Sequence, residues 1–372
     1  MVRTERVIQQ FMELVKIDSE TQYEREIANY LLRFFKKSGL TVLEDNTAKH
    51  TNHEAGNILA HYPGNTKKES IYFTCHMDTV TPGKAIKPRI QNGFICSDGT
   101  TILGADDKAG IAAIMEAIQL LNEKQMEHGD IYFLITSGEE SGLVGSRYFN
   151  EKSLPVKYGY ALDSDGEVGQ IITKAPSQVK LYATIYGKAA HAGVSPEKGI
   201  SAISLTAKAI TNMPLGRIDE ETTANIGSFE GKGPTNVVCE QVLLIAEARS
   251  LSKDKLDKQV KAMTKALETT AESMGGNVDI KTEVMYPSYC FNEEDQVVKT
   301  AIRAVRNMGI EPATATSGGG SDANHLSGKG IPTINLAIGY ENIHTTSERI
   351  STDQLVKIPE LIIEIVKEVE SI

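Results

Sequence analysis

Tryptophan is absent from the 372 residues, aromatic side chains are 6% of them, and the four cysteines, Cys75, Cys96, Cys239 and Cys290, show no CxxC spacing. Cysteines this scattered argue against a thiolate zinc site and against a disulfide-framed secreted domain, and they read as reduced, mostly buried thiols. No run of about 18 apolar residues occurs, which removes a transmembrane helix. The first residues, MVRTERVIQQFMELVKID, mix charges into helical apolar spacing and so lack the uninterrupted apolar core of a signal peptide. Basic residues are the minority charge, 39 against 49 acidic for a formal net charge of −10, which disfavours nucleic acid and anionic membrane as partners. A soluble cytoplasmic protein remains, long enough for two domains that each bury their own core.

What is present is an alternation of periods. The first 60 or so residues read as two helices and then short strands at TVLED and NILAHY, with Gly39 as a C-terminal cap. Residues 70–75 (SIYFTC) and 130–136 (DIYFLIT) are short apolar runs rich in β-formers, as expected of strands buried on both faces. Between them Ile111, Ile114, Met115, Ile118 and Leu121 recur at helical spacing and predict one apolar stripe on a helix that begins near Asp106 and Asp107. A strand at 158–162 leads to Asp163. This order predicts an α/β fold, a mostly parallel sheet with helices on both faces and ligands at the carboxyl ends of its strands. After Lys174 the texture changes to strands at 180–187, 223–229, 237–246 and 278–285 with helices at 199–213 and 253–274, the order of a ferredoxin-like α+β insert. The helix, strand, helix pattern resumes from about residue 288. The expectation is a discontinuous domain, 1–175 and 287–372, interrupted by an inserted domain, 176–286.

Polar residues gather where the strands end. His76 and Asp78 share one side of an extended segment, the usual arrangement of a ligand histidine and the carboxylate that orients it, though a polar strand end reads the same way. Asp106 and Asp107 suit a helix N-terminus by capping and dipole, yet two acids exceed what one cap needs. Glu139 and Glu140, with a glycine on either side, either form a solvated turn or divide the labour between holding a metal and accepting a proton from water. Asp163, with Asp165 as a competitor, adds another acid, and His344 a second imidazole in a loop. Taken together, these N and O donors suit zinc, or manganese and cobalt as substitutes.

His76-x-Asp78, Gly104-Ala105-Asp106-Asp107-Lys108-Ala109-Gly110, Gly138-Glu139-Glu140, Asp163 and His344 resemble the co-catalytic zinc peptidases that include peptidase T, carboxypeptidase G and aminoacylase. The peptidase T branch is the most similar, through residues 98–110 (DGTTILGADDKAG). The resemblance spans almost the whole chain. It implies a zinc-exopeptidase fold with an inserted lid and dimerisation domain, a homodimer, and two zinc ions per subunit that activate water to cleave short peptides. It further implies that His76 and Asp163 hold one zinc, that Glu140 and His344 hold the other, that Asp106 bridges both, that Glu139 is the general base and that Asp78 orients His76. His191, in Gly187-Lys188-Ala189-Ala190-His191-Ala192-Gly193, matches a histidine that polarises the scissile carbonyl, in the partner's active site. Asn236 and Arg249 match positions that bind substrate oxygens, while their plainer readings, a turn closure and a pairing with Glu247, stay open.

One departure concerns specificity. Where peptidase T carries an arginine before its Gly-Gly-Thr-Asp segment, this chain has Gly318, followed by Gly319-Gly320-Ser321-Asp322. A glycine cannot supply bidentate carboxylate binding, so a tripeptidase does not follow directly. An N-acyl amino acid amidohydrolase or a carboxypeptidase would use the same metal chemistry, and a silent relative serving as a binding or scaffold protein is the alternative of another class. A serine hydrolase lacks its GxSxG elbow here.

Overall fold

The computed structural model describes residues 2–372, and these form two compact units. The first consists of the chain up to Lys174, Cys290–Ser317 and Ser321–Ile372; the second of Ala175–Tyr289 with Gly318–Gly320. Among the described residues no helix is long and apolar enough to cross a membrane.

A nine-stranded sheet carries the first unit. Its path runs through Thr41–Glu44, Ile58–Tyr62, Ile131–Thr136, Ile71–His76, Tyr158–Ser164, Thr333–Ala337 and Gln170–Ala175. The central pairings, from Ile131–Thr136 to Thr333–Ala337, are parallel, and the flanking ones among these strands are antiparallel. Successive strand residues point to opposite faces, and both faces are covered. Phe73 and Phe133 stack in a group with Phe35 and Tyr160, whereas Tyr72 and Leu134 pack against Phe149, Leu154, Leu326 and Ile331. Each such side chain taken out of water contributes about 1.5–3 kcal/mol, which is why the apolar runs become interior strands.

The helix Arg25–Lys37 buries Ile27, Ala28, Leu31 and Phe35 along one stripe. It stops at the expected Gly39, whose φ of +88° lets its N–H and that of Leu40 turn back to Lys36 O and Phe35 O at 3.1 Å each. The helix Ala105–Lys124 departs from expectation by being buried almost all round rather than along one stripe. The cause is that it meets the sheet and is also packed by Thr4–Leu14 and Thr352–Glu368.

The second unit is a five-stranded antiparallel sheet in the order Gly216–Arg217, Thr222–Glu230, Gln241–Ser250, Ser177–Tyr186, Asn277–Tyr286. Helices Ala202–Thr211 and Lys253–Ser273 cover one face, meeting Leu181, Ala183, Ile185, Val242, Leu244 and Ala246. The strand expected at 237–246 starts only at Gln241, because Val237 makes an isolated bridge with His191 instead of extending the ladder. A four-stranded sheet in the first unit, built from Arg89–Gln91, Phe94–Cys96, Tyr340–Glu341 and Arg349–Ser351, was not anticipated.

Candidate metal centre

The strand Ile71–His76 delivers its last side chain at the carboxyl edge of the parallel core. His76 Nδ1 lies 2.9 Å from the main-chain oxygen of Asp78 and 3.4 Å from its carboxylate, and Nε2 lies 2.9 Å from Asp106 and 3.7 Å from Asp163. The Asp78 carboxylate accepts the main-chain N–H groups of Glu139 and Glu140 at 3.0 and 3.2 Å. Asp78 thus orients the imidazole mainly through its carbonyl, while its carboxylate fixes the turn that follows Ile131–Thr136.

Asp106 and Asp107 stand at the start of their helix with non-helical backbone angles, φ −81°, ψ 100° and φ −122°, ψ 31°, and the peptide bond between them is cis. The carboxylate of Asp106 turns to the two imidazoles: its other oxygen lies 3.3 Å from His344 Nε2. Asp107 accepts the His76 main-chain N–H at 3.1 Å, and its second oxygen is buried without a partner. Glu140 places both oxygens 3.1 Å from His344 Nε2. Asp163, which belongs to the strand Tyr158–Ser164 rather than following it, accepts from Tyr340 Oη at 3.0 Å. Its main chain is held by the Asn335 side-chain amide, which accepts the Asp163 N–H at 2.9 Å and donates to the Asp163 carbonyl.

The first unit therefore holds His76, Asp78, Asp106, Glu139, Glu140, Asp163 and His344. Two overlapping donor groups, His76/Asp106/Glu140 and His76/Asp107/Asp163, each have ligand atoms within 4.8 Å of one another, so Asp107 joins a set from which sequence reading left it out. Burial, then the charge of Asp106, holds the Asp163 carboxyl well above the usual carboxylate range. Burial, then the charge of Asp163, does the same for Asp107 and Glu139. For His76, burial disfavours the charged ring, but hydrogen bonds to Asp106 and Asp78 outweigh it and raise its pKa. Hydrogen bonds to Asp106 and then Glu140 push His344 up to about 10. Two imidazoles cannot neutralise the carboxyls of Asp106, Asp107, Asp163, Glu139 and Glu140. The surplus of carboxyl groups over imidazoles and the N/O donor chemistry fit bound divalent cations.

His191, Asn236 and Arg249 lie in the second unit. His191 and Asn236 are neighbours: the Ala192 N–H donates to Asn236 O at 2.9 Å. His191 Nδ1 accepts the N–H groups of Gly193 and Val194 at 3.2 Å each, so a neutral ring carries its proton on Nε2. Arg249 pairs bidentately with Glu247 at 2.9 and 3.2 Å and donates to Gly318 O at 3.3 Å. The plainer Glu247 pairing is thus present, and it leaves only part of the guanidinium fork for another acceptor.

Several supporting residues escaped sequence reading. Glu348 accepts three main-chain N–H groups, those of Leu103, Gly104 and Asp106. Glu24 holds His53 at 2.6 Å beneath Gly138, and His53 Nε2 lies 3.2 Å from Ser141 Oγ. None of the three had a signal in the sequence, because their partners are main-chain groups or side chains far away along the chain.

The model of peptidase family M20/M25/M40 matches residues 72–368. The chain is 53% identical over 368 residues, with 99% of each covered, to the uncharacterized protein YqjE of Bacillus subtilis strain 168. Aminopeptidase PepT from Bacillus cereus ATCC 10987 is 55% identical, with a TM-score of 0.93 over 99% of both chains. A tripeptidase from Staphylococcus aureus subsp. aureus Mu50 is 45% identical, with a TM-score of 0.96 over 99% of this chain and 98% of that one. Motif order, fold and whole-length similarity agree, and the chain belongs to peptidase family M20/M25/M40 as a peptidase T-like member.

Proposed function

We propose that this peptidase is a two-metal exopeptidase that removes the N-terminal residue from short peptides, tripeptides foremost. One observation carries the reading: Asp106 stands between the two imidazoles, with Asp163 beside His76 and Glu140 beside His344. His76 and Asp163 are then the ligands of one ion, Glu140 and His344 of the other, and Asp106 of both. The ions are zinc, with manganese or cobalt as substitutes. When bound they supply Lewis acidity and bring the pKa of a water toward neutrality.

Glu139 is the general base in this reading. Its burial and the nearby charge of Asp163 raise its proton affinity, which suits a carboxylate that takes a proton from water and returns it to the departing amine. Asp78 keeps the Glu139–Glu140 turn in place through two main-chain bonds. His191, with its proton on Nε2, donates to the carbonyl oxygen as negative charge develops there. Asn236 and the unpaired part of the Arg249 fork receive the substrate's carbonyl and carboxylate oxygens. Our reading includes a homodimer through the inserted domain, in which His191 serves the partner's site. On the face of its sheet away from the helices, Leu243 and Ile245 are exposed near Tyr186, which supports such a contact.

The test is metal content and hydrolysis on one sample, before and after chelation, with zinc, manganese and cobalt restored singly. About two ions per chain, and tripeptide cleavage that vanishes and returns, are expected. Cleavage confined to acylated amino acids would overturn the exopeptidase in favour of an amidohydrolase, and bound metal without hydrolysis would favour a binding protein.

A further inference from the structure

His344 sits in the segment 342–348, between strands Tyr340–Glu341 and Arg349–Ser351, which pair antiparallel. Little in that segment fixes the ring. Asn342 and His344 both have left-handed backbones, φ +57° and +61°, a region unfavourable for residues other than glycine. The segment's internal bonds, such as Thr345 Oγ1 to Asn342 O at 2.7 Å and Thr345 Oγ1 to Ser347 Oγ at 2.8 Å, join exposed residues. Loops of this kind open at low cost. Yet His344 meets a buried carboxylate.

The segment has one buried residue, Glu348, 1% exposed. Its Oε2 accepts the N–H groups of Leu103 and Gly104 at 2.7 and 2.8 Å, and its Oε1 accepts that of Asp106 at 3.0 Å. These groups lie where the chain enters the helix Ala105–Lys124, and the first N–H groups of a helix have no partner inside it. An acceptor there commonly comes from a local cap. Here Asp106 turns to the imidazoles, Asp107 accepts the His76 main-chain N–H, and the cap is supplied from more than two hundred residues away, with the helix dipole favouring its negative charge.

We infer that Glu348 is a positioning residue, a side-chain staple that holds the His344 loop against the Asp106 turn and so sets the geometry of the outer half of the metal centre. The consequence for metal rests on the two-metal reading above; the staple does not. His76 and Asp163 lie on strands and are fixed by the sheet, so loss of Glu348 falls mainly on the half formed by Glu140 and His344.

The experiment uses the full chain and the variants Glu348→Gln and Glu348→Ala, stripped with chelator and titrated with zinc alone against a competing chelator. Hydrogen exchange of the Leu103, Gly104 and Asp106 amides is read on the metal-free proteins. The expected result is loss of protection at those amides and a second ion bound about 10- to 100-fold more weakly, with the first ion affected much less. Wild-type affinity for both ions, or amides that stay protected, would overturn the inference. Should the wild type take up fewer than two ions, the two-metal reading fails by itself and the exchange measurement still decides on the staple. Should Glu348→Ala not fold, the nearly isosteric Glu348→Gln carries the test.

Discussion

His76 and His344 reach the same carboxylate from opposite kinds of structure. His76 ends a strand whose six residues are all buried, and its side chain is 1% exposed; His344 hangs from a surface loop with its side chain 50% exposed. The register of Ile71–His76 against Ile131–Thr136 and Tyr158–Ser164 settles where the first ring lies. The second depends on a few side-chain bonds that the sheet does not enforce. One half of the candidate centre is part of the core, and the other is fastened to it.

The largest effect expected from any single change leaves both halves alone. Glu139→Gln should lower kcat by about 10²- to 10⁴-fold with metal content unchanged, measured on one preparation. A fall in metal content would move Glu139 into the ligand set and blur the division between ligands and base. The division itself is tested by His76→Gln against His344→Gln in metal-free protein under denaturant. The first should cost about 1–3 kcal/mol, because buried carboxylates lose a partner that water cannot replace, and the second less, because beside the half-exposed His344 water can take the place of the ring. Equal losses would show that both rings are equally part of the core.

Gly138→Ala probes the turn between the halves. Gly138 has φ +64°, and an added Cβ would fall on the His53 ring. A loss of about 1–3 kcal/mol is expected in thermal or denaturant unfolding. The smallest effect concerns His53, a histidine buried like His76 but away from the donor groups. Burial disfavours its charge, yet the hydrogen bond and charge of Glu24 outweigh that and raise its pKa. A raised folded-state value means that the contribution is complete below the unfolded pKa of about 6.5 and is lost as pH rises through the folded value. Metal-free stability should decline over that interval, and His53→Gln should remove that part of the slope; an unchanged slope would contradict the pairing.

The same contrast explains what could be read from the chain. His76, Asp163 and the Glu139–Glu140 turn stand at or just beyond the ends of apolar runs, and burial on both faces leaves few other places for a polar side chain to emerge. Their neighbourhood was therefore legible. Glu348 was not, because its partners are main-chain groups at Leu103, Gly104 and Asp106, and a main-chain donor has no residue type to recognise. Asn335 and Tyr340, which hold Asp163, were hidden for a related reason: their strands are distant in sequence from the strand they support. The four-stranded sheet is built from segments of two or three residues, too short to display a period of two. Asp107 escaped because capping explains an acid at a helix start, and only the fold brings its carboxylate within reach of His76 and Asp163.

The strand Thr333–Ala337 lies inside the nine-stranded sheet, between Tyr158–Ser164 and Gln170–Ala175, not at its rim. During translation its two neighbours emerge long before it does, so the nascent chain carries an interior gap with unpaired edges on both sides while the whole second unit is being made. Such edges pair readily with other chains. A truncation ahead of residue 333 would therefore not trim the molecule but open its middle, and fragments of that kind are expected in aggregates when expressed beside the full-length chain.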